Sequence, residues 1–251
     1  MNAALVTEYS KFVRAMVPRA TTLLLVLGIS LICSAMLLAT DTDDPQLAAK
    51  LGPLLDPGGW NGYFTLAAQV TAAGGLIGHG AVLSWMFGRE FAEGTISGLF
   101  ALPVSRSTIA TAKLAVYLGW SLAVGIALLV TLIISGLVFG LGDIPASAVP
   151  AMLRQLVLTL LTGAIAVPAA WAATLGRSVL TGVATAIGLV VLAQVTVVSG
   201  AGGWFPIAAP GLWAISGGAE VSATQLALSL TVPAVGAALT WHAWRNLQLD
   251  R

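Results

Sequence analysis

The chain has 251 residues, of which 58% are hydrophobic and only 8% charged, and its formal net charge is +1. An ordinary soluble domain carries about 25% charge, so this composition excludes a water-facing globular surface and makes lipid the expected solvent. The small net charge gives no basic footprint for nucleic acid. The single cysteine, Cys33, excludes a disulfide framework and a cysteine-based metal cluster.

The first stretch, "ALVTEYSKFVRAMVPR", places Leu5, Tyr9, Phe12, Val13 and Met16 at helical spacing, with Thr7, Glu8, Lys11 and Arg14 elsewhere on the wheel. It predicts an amphipathic helix over residues 1–19, lying in the inner membrane interface and stopped by Pro18. Six apolar runs follow, at residues 20–40, 64–87, 114–139, 151–175, 179–198 and 223–243. Each reaches about the 20 residues that a helical crossing needs. Helix is the expected state because lipid-facing backbone groups must bond within their own segment. The first run is longer than a secretory signal core and is followed by similar runs, so it reads as a retained span. Pro168 and Pro233 predict kinks. Gln225, Pro233 and His242 interrupt the last run.

Of the connections, residues 41–61 carry "DTDD" and "DPGG" and are expected to be irregular, and residues 140–150 are short. Residues 200–222 are apolar yet broken by Gly and Pro, with Trp204, Phe205 and Trp213 among them. They predict re-entrant or interfacial helices over the outer face. With the N-terminus inside, the inner side holds Lys11, Arg14, Arg19, Arg89, Arg106, Lys113, Arg177, Arg245 and Arg251. The outer side holds only Lys50 and Arg154. That nine-to-two bias predicts cytoplasmic termini. The tryptophans agree, with Trp60, Trp204 and Trp213 near the outer boundary and Trp85, Trp241 and Trp244 near the inner one.

Catalytic chemistry has little to stand on. There is no G-x-x-x-x-G-K-[ST] and no H-E-x-x-H, and the two histidines, His79 and His242, have no acid or Cys at ligand spacing. No span has an acid near its centre, which argues against a proton-driven carrier. No catalytic residue, metal site or cofactor is therefore expected in this chain. His79 and Gln194 are the polar residues singled out within spans. Each is either a helix–helix hydrogen-bonding group or part of a substrate path. Gly74 with Gly78, and Ala184 with Gly188, have the spacing that permits close helix approach.

Residues 88–113, "GREFAEGTISGLFALPVSRSTIATAK", concentrate charge between two apolar runs. Phe91, Ala92, Ile96, Leu99 and Phe100 spread over one half of a helical wheel, and Arg89, Glu90 and Glu93 lie mainly on the other. Gly94 allows a turn, Thr95 is placed to cap the next helical turn, Pro103 stops it, and Ser105 or Ser107 is placed to cap the third span. These residues alone read equally as an exposed docking hairpin or as a plain loop.

The string E-x-x-x-G-T-x-x-x-L-x-x-x-P-V-S-R-x-x-x-x-x-A-K, from Glu90 to Lys113, resembles the signature after the second span in permease subunits of ABC type-2 transporters. The small lantibiotic-immunity and multidrug-like permeases are of similar size. The resemblance implies an all-α polytopic membrane protein with six transmembrane helices, an N-terminal elbow helix and a cytoplasmic coupling helix between spans two and three. It also implies a bacterial plasma-membrane location. The chain would be one permease domain working with a second permease copy and two copies of a separate ABC ATPase, which binds the ATP and Mg. Glu90, Glu93, Gly94 and Thr95 would lie at or near the ATPase contact. Pro103, Arg106 and Lys113 would shape the return into the third span, although Arg106 and Lys113 also suit ordinary positive-inside anchoring. Export of an amphipathic or apolar cargo (a peptide antibiotic, drug or lipid) is expected, with haem or ion export open within the class. A membrane-embedded enzyme, assembly protein or sensor is the rival.

Overall fold

The computed structural model describes residues 2–39, 55–100 and 103–248 of the chain. Backbone amides in hydrocarbon must find partners within their own segment, and every regular element among the described residues is helical, with no strand. Six helices are long and apolar enough to cross a membrane: Met16–Ala39, Gly59–Ala92, Arg106–Val138, Ala146–Leu175, Val179–Val198 and Ala223–Arg245. An even number of crossings puts both chain ends at one end of the bundle, here called the near end. The expected irregular loop at 41–61 lies outside the described residues as far as position 54.

Several boundaries differ from the expectation, each for a local reason. The N-terminal helix is Asn2–Arg14. It breaks at Ala15, whose backbone is extended (φ −77°, ψ 147°), and the first span starts at Met16. Pro18 therefore sits in a first helical turn, where a missing N–H is harmless. The second span runs on to Ala92, and the third starts at Arg106 under a Ser105 cap whose side chain accepts from Thr108 N. The expected loop of 88–113 shrinks to residues 93–105, with the short helix Ile96–Phe100 inside it. Charge is the reason: the apolar runs end where Arg89, Glu90 and Lys113 begin, but the helices continue because these charges find partners.

The fourth span is interrupted at Ala166–Val167 and restarts as Pro168–Leu175. The sixth is interrupted at Ser229–Leu230 and restarts as Thr231–Arg245, with Pro233 in the first turn. Both expected kinks thus become helix restarts, which place each proline where no donor is missed.

Lipid as solvent inverts the usual surface. Leu118, Leu122, Ile126, Val130, Ile134 and Leu137 form an exposed stripe along the third span, while Val116, Val124, Leu128 and Leu132 are buried on its other side. The densest packing joins the second and fifth spans, where small residues let backbones meet. A Cβ on Gly80 would overlap Ala186, and one on Gly182 would overlap Ser84. The spacings picked out in the sequence behave unevenly. Gly78 does meet a neighbour, since its Cβ would lie 2.8 Å from Leu25 Cδ2, but a Cβ on Gly74 or Gly188 would touch nothing within 4 Å.

Candidate functional site

At the near end, four charged side chains from three helices converge. Lys113 comes from the start of the third span, Glu90 from the last turn of the second, and Glu8 and Lys11 from the N-terminal helix. An ammonium has three N–H donors, and each of those on Lys113 has an acceptor. Its Nζ lies 2.9 Å from Glu8 Oε2, 3.0 Å from Glu90 Oε1 and 3.0 Å from Met86 O. Lys11 Nζ donates to Glu8 Oε1 at 3.0 Å and to Glu90 Oε1 at 3.3 Å. Glu90 and Lys113 are each only 2% exposed and Glu8 5%, so the centre of the network excludes water, Lys11 closes its solvent side, and the two lysines and two glutamates cancel. Aromatic rings close it: Lys113 Nζ lies 5.8 Å from the Trp244 ring centre and 6.0 Å from that of Phe87.

This arrangement is what lets Glu90 and Lys113 sit inside helices. A buried charge is tolerated when paired and hydrogen-bonded. Glu90, expected at or near the ATPase contact, points inward and ties the second span to the N-terminal helix through Lys11. Lys113 lies at the core of the same network and not on a loop. The missed signal was long-range pairing: Glu8 lies 105 residues from Lys113, and no local pattern reports such a partner.

The cluster sets a pH window. Burial alone would raise the Glu8 carboxyl, but Lys113 and Lys11 outweigh it and hold it below the ordinary 4.5. Burial alone would lower the Lys11 ammonium, but Glu8 and Glu90 outweigh it and hold it above the ordinary 10.5. A depressed acid stabilises fully above 4.5 and loses that contribution as pH falls through its folded value. A raised base stabilises fully below 10.5 and loses it as pH rises through its folded value. The melting temperature of the purified chain is therefore expected to hold across neutral pH and fall at both extremes. Glu8→Gln should flatten the acid limb, as thermal unfolding across a pH series would show.

Beyond the cluster the chain turns outward. Glu93, Gly94 and Thr95 are exposed, while Ile96 and Leu99 are buried and anchor the short helix Ile96–Phe100. Gly94 has φ +68°, a left-handed turn that favours glycine. The Thr95 hydroxyl reaches back to Glu90 O at 3.5 Å and does not cap the short helix as expected. Glu93 keeps a long i,i+4 pairing to Arg89 at 3.9 Å. Pro103 is exposed at the end of this segment. Arg106 is half-buried and donates to Leu247 O, and Arg177 Nη2 donates to Gln248 O at 2.8 Å, so the C-terminal end of the described chain lies against the same face.

The two polar residues singled out within spans part company. His79 is fully buried. Its Nδ1 lies 2.8 Å from Gly75 O and its Nε2 3.2 Å from Ser121 Oγ, which fits a neutral ring donating from Nδ1 and accepting at Nε2. Tyr117 packs edge-on to it and donates to Gly163 O at 2.6 Å. Gly75 closes a π-helical turn, Thr71–Gly75, in the second span. Gln155, which the sequence reading passed over inside an apolar run, is buried and donates to Thr71 Oγ1 at 2.8 Å. Gln194 is exposed and lines a cavity of about 120 Å3 between the second, fourth and fifth spans and the far-end helix Ala209–Ile215.

Residues 4–194 match the family described as ABC-2 family transporter protein. The matched stretch contains the four-charge cluster, the exposed turn and His79, and ends at Gln194. The chain belongs to this family, which makes it a multi-pass membrane protein and a membrane transport subunit and implies association with an ABC ATPase. No curated protein and no solved structure matches it.

Proposed function

We propose that this chain is the membrane-spanning half of an ATP-driven exporter and that the turn at Glu93–Thr95, with the helix Ile96–Phe100, is its contact with the ATPase. The observation that carries this reading is the geometry of that segment. Polar, exposed residues at Glu93, Gly94, Thr95, Ser97 and Gly98 are presented on two buried anchors, Ile96 and Leu99. Behind them, Glu90 and Lys113 lock the second and third spans to the N-terminal helix. A push on the exposed turn is then passed to two spans and the N-terminal helix together, because the buried pairs resist separation. The bias of Lys and Arg supports a cytoplasmic near end in a bacterial plasma membrane, where ATP is available. ATP and Mg belong to the partner, in two copies, with a second permease copy completing the path. The spans carry few charged side chains, which favours an amphipathic or apolar cargo.

The test is co-expression with a candidate ABC ATPase, followed by purification and reconstitution. The ATPase is expected to co-elute. Glu93→Arg and Gly98→Trp should leave the melting temperature nearly unchanged, since both sites are exposed and a Cβ on Gly98 would meet nothing within 4 Å, while cutting transport-coupled ATP hydrolysis on the order of tenfold, the size of a lost interfacial anchor. If the chain elutes alone and both variants leave ATP hydrolysis untouched, the reading fails, and an assembly or sensor role takes its place.

A further inference from the structure

Arg154 stands at the opposite end of the bundle from the four-charge cluster. It lies in the fourth span, five residues after Val149 at the far end. At a rise of about 1.5 Å per residue it sits about 8 Å along the helix from Val149, a depth suited to the membrane–water boundary. It makes no ion pair or hydrogen bond with any described residue, and its Nε is buried without an acceptor. A half-buried guanidinium carries five N–H donors and no acceptor, so leaving them unpaired is costly. An unpaired arginine at membrane depth calls for an anion.

A second donor converges on the same place. The far-end helix Ala209–Ile215 packs on the fourth span, with Trp213 against the cluster that contains Leu158, one turn along from Arg154. The helix ends in a turn at Gly217 and Gly218, with φ of +68° and +93°. Arg154 Nη2 lies 3.9 Å from where a Cβ on Gly217 would stand, and Trp213 Nε1 lies 3.5 Å from the same position on Gly218. The indole N–H also has no acceptor among the described residues. Two donor-only groups thus face one side-chain-free turn. The nearest acid along the chain, Asp143, and Glu220 beyond the far-end helix are both exposed, and neither forms an ion pair with Arg154. Beside Arg154 on the wheel of the fourth span, Val149, Leu153 and Val157 form an exposed apolar stripe.

We propose that Arg154 and Trp213 form a receptor for a phosphate group, that of an anionic lipid headgroup whose acyl chains lie along Val149, Leu153 and Val157. The guanidinium supplies paired donors to two phosphate oxygens and the indole N–H one more. The two glycines leave room for the headgroup to approach. This binding does not depend on the ATPase contact, so the two readings stand or fall separately.

The test is native mass spectrometry of the purified chain in neutral detergent, titrated with phosphatidylglycerol, with phosphatidylcholine and inorganic phosphate as separate arms. The wild type is expected to retain one phosphatidylglycerol more tightly than phosphatidylcholine. Arg154→Gln should weaken that binding on the order of tenfold or more, Trp213→Phe should weaken it less, and Arg154→Lys should restore part. The Arg154→Gln protein should melt no lower than the wild type in lipid-free detergent, because the guanidinium holds no partner within the chain. Displacement of the lipid by millimolar inorganic phosphate would support the phosphate receptor and assign it to the free anion. Equal phosphatidylglycerol affinity in the wild type and a well-folded Arg154→Gln would overturn the proposal.

Discussion

Replacing Lys113 by methionine is expected to cost the fold about 3–5 kcal/mol, the range for breaking a buried ion pair from one side. Methionine fills similar volume, so the loss is electrostatic. Glu8 Oε2 and Glu90 Oε1, now bridged by one ammonium at 2.9 and 3.0 Å, would face each other with only the half-exposed Lys11 between them. Met86 O would also lose its donor. Thermal unfolding in detergent is the measurement, and the partner variant gives the sharper reading. Pairing Lys113→Met with Glu90→Met removes both central charges and leaves the Glu8–Lys11 pair at 3.0 Å in place. Apolar replacement of a whole buried pair is often neutral, so the double variant should recover most of the lost stability. If it is as unstable as the sum of its parts, the pair is not the unit described here. The double variant should still bind the ATPase but couple poorly to it, because the N-terminal helix would no longer be held to both spans.

Gly88→Ala is expected to separate the near ends of the second and fifth spans. A Cβ at this position would lie 2.6 Å from Val179 N and 2.8 Å from both Ser178 C and Val179 Cα. These are backbone atoms at the start of the fifth span, so no rotamer change can relieve the clash, and a helix must move. Overpacking of this kind costs about 1–3 kcal/mol and sometimes more. Gly119→Ala is the control: a Cβ there would meet nothing within 4 Å, and in mid-helix alanine is favoured over glycine by up to about 1 kcal/mol. The melting temperature should therefore fall for the first variant and hold or rise for the second. Equal behaviour of the two would mean that the second and fifth spans do not meet at Gly88.

The six apolar runs were legible because hydrocarbon imposes a simple rule on length and composition. The all-helical class with six candidate crossings follows from that rule and is what the structure has. The family was legible too, from the string between Glu90 and Lys113, and the match over residues 4–194 supports it. Helix ends were read less well. Hydropathy stops a span at its first charge, whereas the second and third spans run through Glu90 and Lys113, each charge being neutralised by a residue far away in sequence. On the wheel Glu8 lies off the apolar face of the first stretch, but nothing local in the sequence names Lys113 as its partner. Arg154 was counted only as an outer charge, since the sequence does not say that it lacks an acid.

By itself, then, the sequence determined the solvent, the number of crossings and the family, because these depend on composition, run length and a local motif. Only the tertiary structure decided which charges are buried as bolts within the fold and which are left exposed. Glu93 and Glu90 are three residues apart on one helical end, chemically alike, yet one is exposed and the other 2% exposed beside two lysines. The physical reason is that the worth of a charge in a membrane protein is set by what stands within about 4 Å of it. That neighbourhood is assembled from helices distant in the chain.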